Sequence, residues 1–189
     1  MNPPRRLLVP PWDLAIVLAA LREFPYEPLE NASLQHLTLK ALFLLAVTSV
    51  RRVSELQALC ALPPYALVNP RSVTLRINPA FVPKTTTSQA MEAPIVLHCF
   101  PRVVRTAFDQ DLRDNCPVRA ITLYLDRTKE MRQDNQLFVG FGPNRRGKAV
   151  MKQTLAPLHH GRSWQGWACR QFVRPLRGPA LCRLPATIA

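Results

Sequence analysis

The chain has 189 residues, 48% of them hydrophobic, which is enough to bury the core of one domain and excludes a wholly disordered polymer. Its 25 Lys and Arg against 12 Asp and Glu leave a formal charge of +13, a field suited to a polyanionic partner, most simply nucleic acid. The five cysteines, at 60, 99, 116, 169 and 182, are odd in number and contain no Cys-x-x-Cys pair, so reduced thiols are expected, with no disulfide framework, zinc site or other cofactor.

The first segment, residues 1–11, carries Pro3, Pro4, Pro10 and Pro11 and reads as disordered. It has positive charge but no apolar stretch of signal-peptide length, and the longest apolar run, Ala41 to Val47, is too short to span a bilayer, so an intracellular protein without a membrane partner is expected. From Asp13, the spacing of Leu14, Val17, Leu18 and Leu21 predicts a helix to about Glu23, ended by Pro25. Leu34, Leu37, Ala41, Leu44 and Leu45 mark a second helix, capped by Asn31 or Ser33.

A short third helix is expected between Ser49 and Pro63, with Ser49 as its cap and Val50, Arg51 and Arg52 in its first turn. Free N–H groups and the dipole would there favour an anion, and Glu55, three residues past Arg52, would hold that guanidinium in one orientation. The plain counter-reading is a surface ion pair on an ordinary helix.

The period then changes. In Ser72 to Ile77 the apolar Val73, Leu75 and Ile77 alternate with Thr74 and Arg76, a half-buried strand whose antiparallel partner is expected at Pro94 to Leu97. Lys84 falls between them near a hairpin tip. Pro117 opens a helix over Val118, Ile121 and Leu125 to about Arg132. Gln136 to Val139 reads as a last short strand, Gly140 to Lys148 as a basic loop, and Val150 to Leu155 as the start of another helix. The predicted class is mainly α with a small antiparallel β-sheet, an α+β fold.

Charge is unevenly spread along this frame. Residues 1–134 hold sixteen basic and twelve acidic side chains, a net of +4, whereas residues 135–189 hold nine basic and no acidic ones. After Leu155 periodicity fades into Arg, Pro and Trp, so residues 156–189 read as an irregular basic tail, the product of a shifted frame or an aberrant exon.

Trp12-Asp-Leu, Pro28-Leu, Leu37-Thr-Leu-Lys40, the run from Leu44 to Leu56 with its Arg-x-x-Glu-Leu, Phe81-Val-Pro-Lys84, Cys116-Pro-Val-Arg-Ala120, Tyr124 to Thr128, Gln136-Leu-Phe-Val139 and Lys152-Gln-Thr-Leu155 stand in an order that matters. With these blocks residues 12–155 resemble part of the catalytic domain of tyrosine recombinases, the phage-integrase superfamily, closest to those of DIRS-type retroelements. In that family a tyrosine attacks a DNA phosphodiester to give a 3′-phosphotyrosyl intermediate, and cations surround the phosphate as charge builds on it. The resemblance implies DNA integration and recombination chemistry, DNA as partner and copies of the chain assembled on DNA; separately, Arg145-Arg-Gly-Lys148 reads as a nuclear signal, against the commoner reading of a solvated loop. It makes Arg52 the first catalytic arginine, with Arg51 as competitor, and Lys84 the hairpin lysine that protonates the departing oxygen.

The sequence also departs from the pattern. Its tyrosines are Tyr26, Tyr65 and Tyr124, all upstream of the family's nucleophile position, and His159-His-Gly-Arg162 follows Leu155 too closely to be the family's His-x-x-Arg. The expectation is therefore a DNA-binding remnant without strand cleavage of its own. Two alternatives stand beside it: Tyr124 or a partner's tyrosine as nucleophile, and a basic module that binds nucleic acid or an acidic protein with no recombinase function.

Overall fold

The computed structural model describes residues 13–82, 93–101, 103–151 and 155. Asp13 caps α1 (Leu14–Ala20) by accepting the Ala15 N–H at 2.9 Å. This helix is shorter than the periodicity suggests: the chain leaves it through turns before Phe24 and Pro25, yet Leu21 still bonds back to Val17 and is fully buried. Ser33, one of the two expected caps, accepts the His36 N–H and starts α2 (Leu34–Ser49).

Helix α2 is the centre of the molecule. Its residues from Leu37 to Leu45, apart from Leu39, are buried, so it is covered on nearly every side. A short α3 (Val53–Gln57) follows, then β1 (Ala66–Asn69), β2 (Ser72–Leu75) and β3 (Ile95–His98), which form one antiparallel sheet in the order β1-β2-β3. Val73 and Leu75 of β2 face Leu97 and Ile95 of β3, and this apolar face packs with β2 and β3 towards α5 (Pro117–Thr128). The β2–β3 pairing is the one expected from the alternation; Ile77, expected within the strand, instead forms an isolated bridge with Leu59.

Helix α4 (Ala107–Asp114) buries none of its residues and is held by a capping box, with Thr106 and Asp109 each bonding the other's backbone. Helix α5 presents Val118, Ile121 and Tyr124 to the core against α2; Leu125, expected on the core face, is only half-buried. The strand expected at Gln136 to Val139 is present only as isolated bridges, Cys60 with Gln136 and Val139 with Ala149. The reason is that 136–139 finds different partners at its two ends and no continuous ladder along either.

The basic loop turns through a 3₁₀ segment (Pro143–Arg145) and closes on Gly147, whose φ of 77° suits glycine. A Cβ there would also strike the Met131 carbonyl. Leu155 is helical and bonds to the Met151 carbonyl; residues 152–154 of the expected helix lie outside the described residues. Residues 1–11, Lys84 and the tail 156–189 lie outside the described residues.

The helices and the three-stranded antiparallel sheet make the fold α+β. Among the described residues no helix is long and apolar enough to cross a membrane, and no three His, Cys, Asp or Glu residues are grouped to hold a metal.

Candidate functional site

The junction of α2 and α3 is built differently from the expectation. Ser49 does not cap α3; it is the last residue of α2, and its hydroxyl donates to the Leu45 carbonyl at 2.7 Å, as Thr48 does to Leu44. With its oxygen turned back into α2, Ser49 has no role in starting the next helix. The reversal is made by Val50, whose φ of 51° and ψ of 27° lie in the left-handed region, unusual for a β-branched residue. Arg52, extended at φ −67° and ψ 150°, is the residue before α3, and its carbonyl accepts from Glu55 and Leu56. Arg51 and Arg52 therefore precede the helix and do not sit in its first turn.

Glu55 pairs with Arg51, at 3.5 Å between Oε2 and Nη1, in an i,i+4 relation. Glu55 thus steadies Arg51. Arg51 is half-buried and its Nη2 donates to the Ala93 carbonyl at 3.0 Å; Arg52 is exposed. Arg51 is thus fixed in the framework.

Both ends of the connection that contains Lys84 are anchored at this place. On the entering side Asn78 N–H donates to the Ala58 carbonyl at 2.8 Å, just past α3, and Phe81 N–H bonds back to Asn78. On the leaving side Ala93 accepts from Arg51. The segment after α3 is a hub: Leu59 accepts from Leu137, Ala61 donates to Asn135, and Gln57 donates to Val150 and accepts from the Gln136 side chain. A cleft of about 550 Å³ opens there, lined by Ser54, Gln57, Asn78, Phe81, Asp134 and Gln136.

Tyr124 lies away from that surface. It is fully buried, its phenol oxygen accepts the Val139 N–H at 2.9 Å, and its ring packs on Phe138 with the Arg132 guanidinium 5.6 Å from its centroid. Burial pushes the phenol up from its ordinary value, against the opposing pull of Val139 and Arg132. Tyr26 is equally buried and Tyr65 is half-buried.

A second polar constellation was not expected from the residues. Lys40, on α2, is fully buried, and its Nζ donates to the Leu21 carbonyl at 2.8 Å and to Glu27 Oε1 at 2.5 Å. Glu27 also receives Arg119 in a forked pair, at 2.9 and 3.1 Å, and the Leu29 N–H at 2.8 Å. Arg119 extends the network to Glu30 and Asp114. Burial lowers the Lys40 ammonium from its ordinary value while Glu27 works the other way. Every group has a partner, and the network ties the α1–α2 connection to α5. This is structural chemistry: the charges face one another inside the fold.

Compared with family models, curated proteins and solved structures, the chain matches none.

Proposed function

We propose that this chain binds DNA as a remnant of a tyrosine recombinase catalytic domain and does not cleave DNA by itself. The observation that carries the reading is the bond from Arg51 to Ala93, which joins the arginine pair to the end of the Lys84-bearing connection. Guanidinium is charged at every working pH and offers a planar fork to phosphate oxygens, so a fixed Arg51 beside an exposed Arg52 suits a DNA backbone. Lys84 belongs to the same connection in the sequence. Glu55 keeps Arg51 oriented.

The absence of cleavage is supported by two of the three tyrosines. A nucleophile must reach the phosphate, and Tyr26 and Tyr124 are sealed in the core, Tyr124 with its oxygen engaged by Val139. Binding without a nucleophile leaves electrostatics and positioning but no covalent intermediate.

A second reading, a basic interaction module without recombinase function, is favoured by the concentration of positive charge in residues 135–189, which have no acid. One titration separates the two. Binding of a labelled duplex is followed against salt for the full chain, for Arg52→Ala, and for the chain lacking residues 156–189. Our reading expects Arg52→Ala to weaken binding more than the deletion does, with a log–log salt slope shallower by about one. The reverse order supports the tail as the site and overturns the proposal. A nicked duplex that traps phosphotyrosyl adducts should give no covalent band, and an adduct would refute the lack of cleavage.

A further inference from the structure

On the far side of the sheet, β3 ends at His98 and the next residue, Cys99, donates its N–H to the carbonyl of Arg71 in the β1–β2 turn at 2.8 Å. Cys116 stands at the N-cap of α5. The two thiols are free and their sulfurs lie 3.6 Å apart, in contact but unbonded; a disulfide would need about 2.05 Å. Both line a cavity of about 940 Å³ together with Arg71, His98, Phe100 and Arg113. Cys116 is buried and Cys99 half-buried, so a reagent entering the cavity meets Cys99 first. Burial and the neighbouring thiol push the Cys99 thiol up, while Arg113 and Arg71 favour its thiolate.

We propose that this cavity is a thiol–disulfide exchange site for an anionic low-molecular-weight disulfide, and that Cys99 and Cys116 form a reversible cross-link there. Glutathione disulfide is the probe, because its carboxylates match the exposed Arg71 and Arg113. Cys99 gives its proton to solvent and its thiolate attacks one sulfur of the probe; the Cys99–glutathione bond forms, and one glutathione thiolate leaves and is protonated. Cys116, deprotonated in turn, attacks the Cys99 sulfur, forming the protein disulfide and expelling the second glutathione. The probe is reduced by two electrons to two thiols and the two cysteines are oxidised by the same two electrons. Cys60, buried beside α3 and outside this cavity, is the internal reference for reaction through unfolding.

The test is peptide mapping by mass spectrometry of the reduced full chain after exposure to glutathione disulfide under native conditions. The expected result is a Cys99–Cys116 linked peptide with Cys60 unmodified, reversed by excess glutathione. In Cys116→Ser the reaction should stop at one glutathionyl group on Cys99. A native chain that gives no linked peptide, or in which Cys60 reacts as fast as Cys99, overturns the proposal. In the unaltered chain glutathione disulfide should also react about fivefold faster than the neutral hydroxyethyl disulfide, a preference that Arg71→Gln with Arg113→Gln removes. Equal rates for the two reagents refute recognition of an anion.

Discussion

Replacing Glu27 with glutamine removes one charge and almost no volume, and leaves the fully buried Lys40 ammonium facing a neutral amide. Removing one partner of a buried ion pair typically costs 3–5 kcal/mol, because the remaining charge keeps its desolvation penalty. The lower end applies here. Glu27 retains 11% exposure of its side chain, Lys40 keeps the Leu21 carbonyl, and Arg119 can lean on Glu30 at 3.3 Å and Asp114 at 3.4 Å. A loss of about 3 kcal/mol, with a urea slope of about 2 kcal/mol per molar, moves the midpoint down by about 1.5 M. Equilibrium urea unfolding followed by circular dichroism measures it. The decisive control is Lys40→Met combined with Glu27→Gln, which removes both ends of the buried pair and should recover most of the loss. A single-mutant loss below about 1 kcal/mol, or a double mutant no better than the single, would show that Lys40 does not depend on Glu27 for its place in the core.

Three further outcomes are expected. Tyr124→Phe leaves the buried Val139 N–H without its acceptor and should cost about 1–3 kcal/mol in the same unfolding assay, with duplex affinity unchanged; an affinity loss at unchanged stability would return Tyr124 to the functional surface. Thr106→Ala removes one half of the capping box on a helix that buries nothing, and should cost about 1 kcal/mol at most, read chiefly as faster hydrogen exchange in α4. The phenols of Tyr26 and Tyr124 are both raised by burial from an ordinary value of 10.0, so the fold favours their protonated forms. Their contribution is complete below pH 10 and is lost as pH rises above it, by about 1.4 kcal/mol per pH unit for each once unfolded phenols ionise. Urea midpoints taken on either side of that pH should fall, and Tyr26→Phe or Tyr124→Phe should flatten the decline.

The elements that could be read from the sequence are those whose apolar residues recur at a fixed spacing against one core. α2 and α5 declare themselves through their leucines and through Pro117, and β2 through the alternation of Val73 with Leu75. β1 buries only Ala66 and so has no alternation to detect. α4 buries nothing, and its only local signal is Thr106 three residues before Asp109, a capping box in a polar stretch. The arginine pair was legible as residues but not as geometry. Ser49 can cap a following helix or bond back into its own, and only the completed α2 decides for the second. Glu55 is within helical reach of both arginines, so spacing alone does not choose Arg51 over Arg52. The Lys40–Glu27–Arg119 cluster was hidden because its members lie on three separate segments brought together only by the packing of α2 on α5.

Val50 is a strained turn at the surface. The residue is 87% exposed, so packing contributes little to keeping a valine in the left-handed region; the turn lies between the end of α2 and the hub behind α3. Stored backbone strain at an exposed corner is released by small rotations there, while α2 remains sealed in the core. A small rotation at Val50 thus re-aims the corner between α2 and α3, while the bonds of Arg51 to Glu55 and Ala93 hold the residues that follow and the interior keeps its packing.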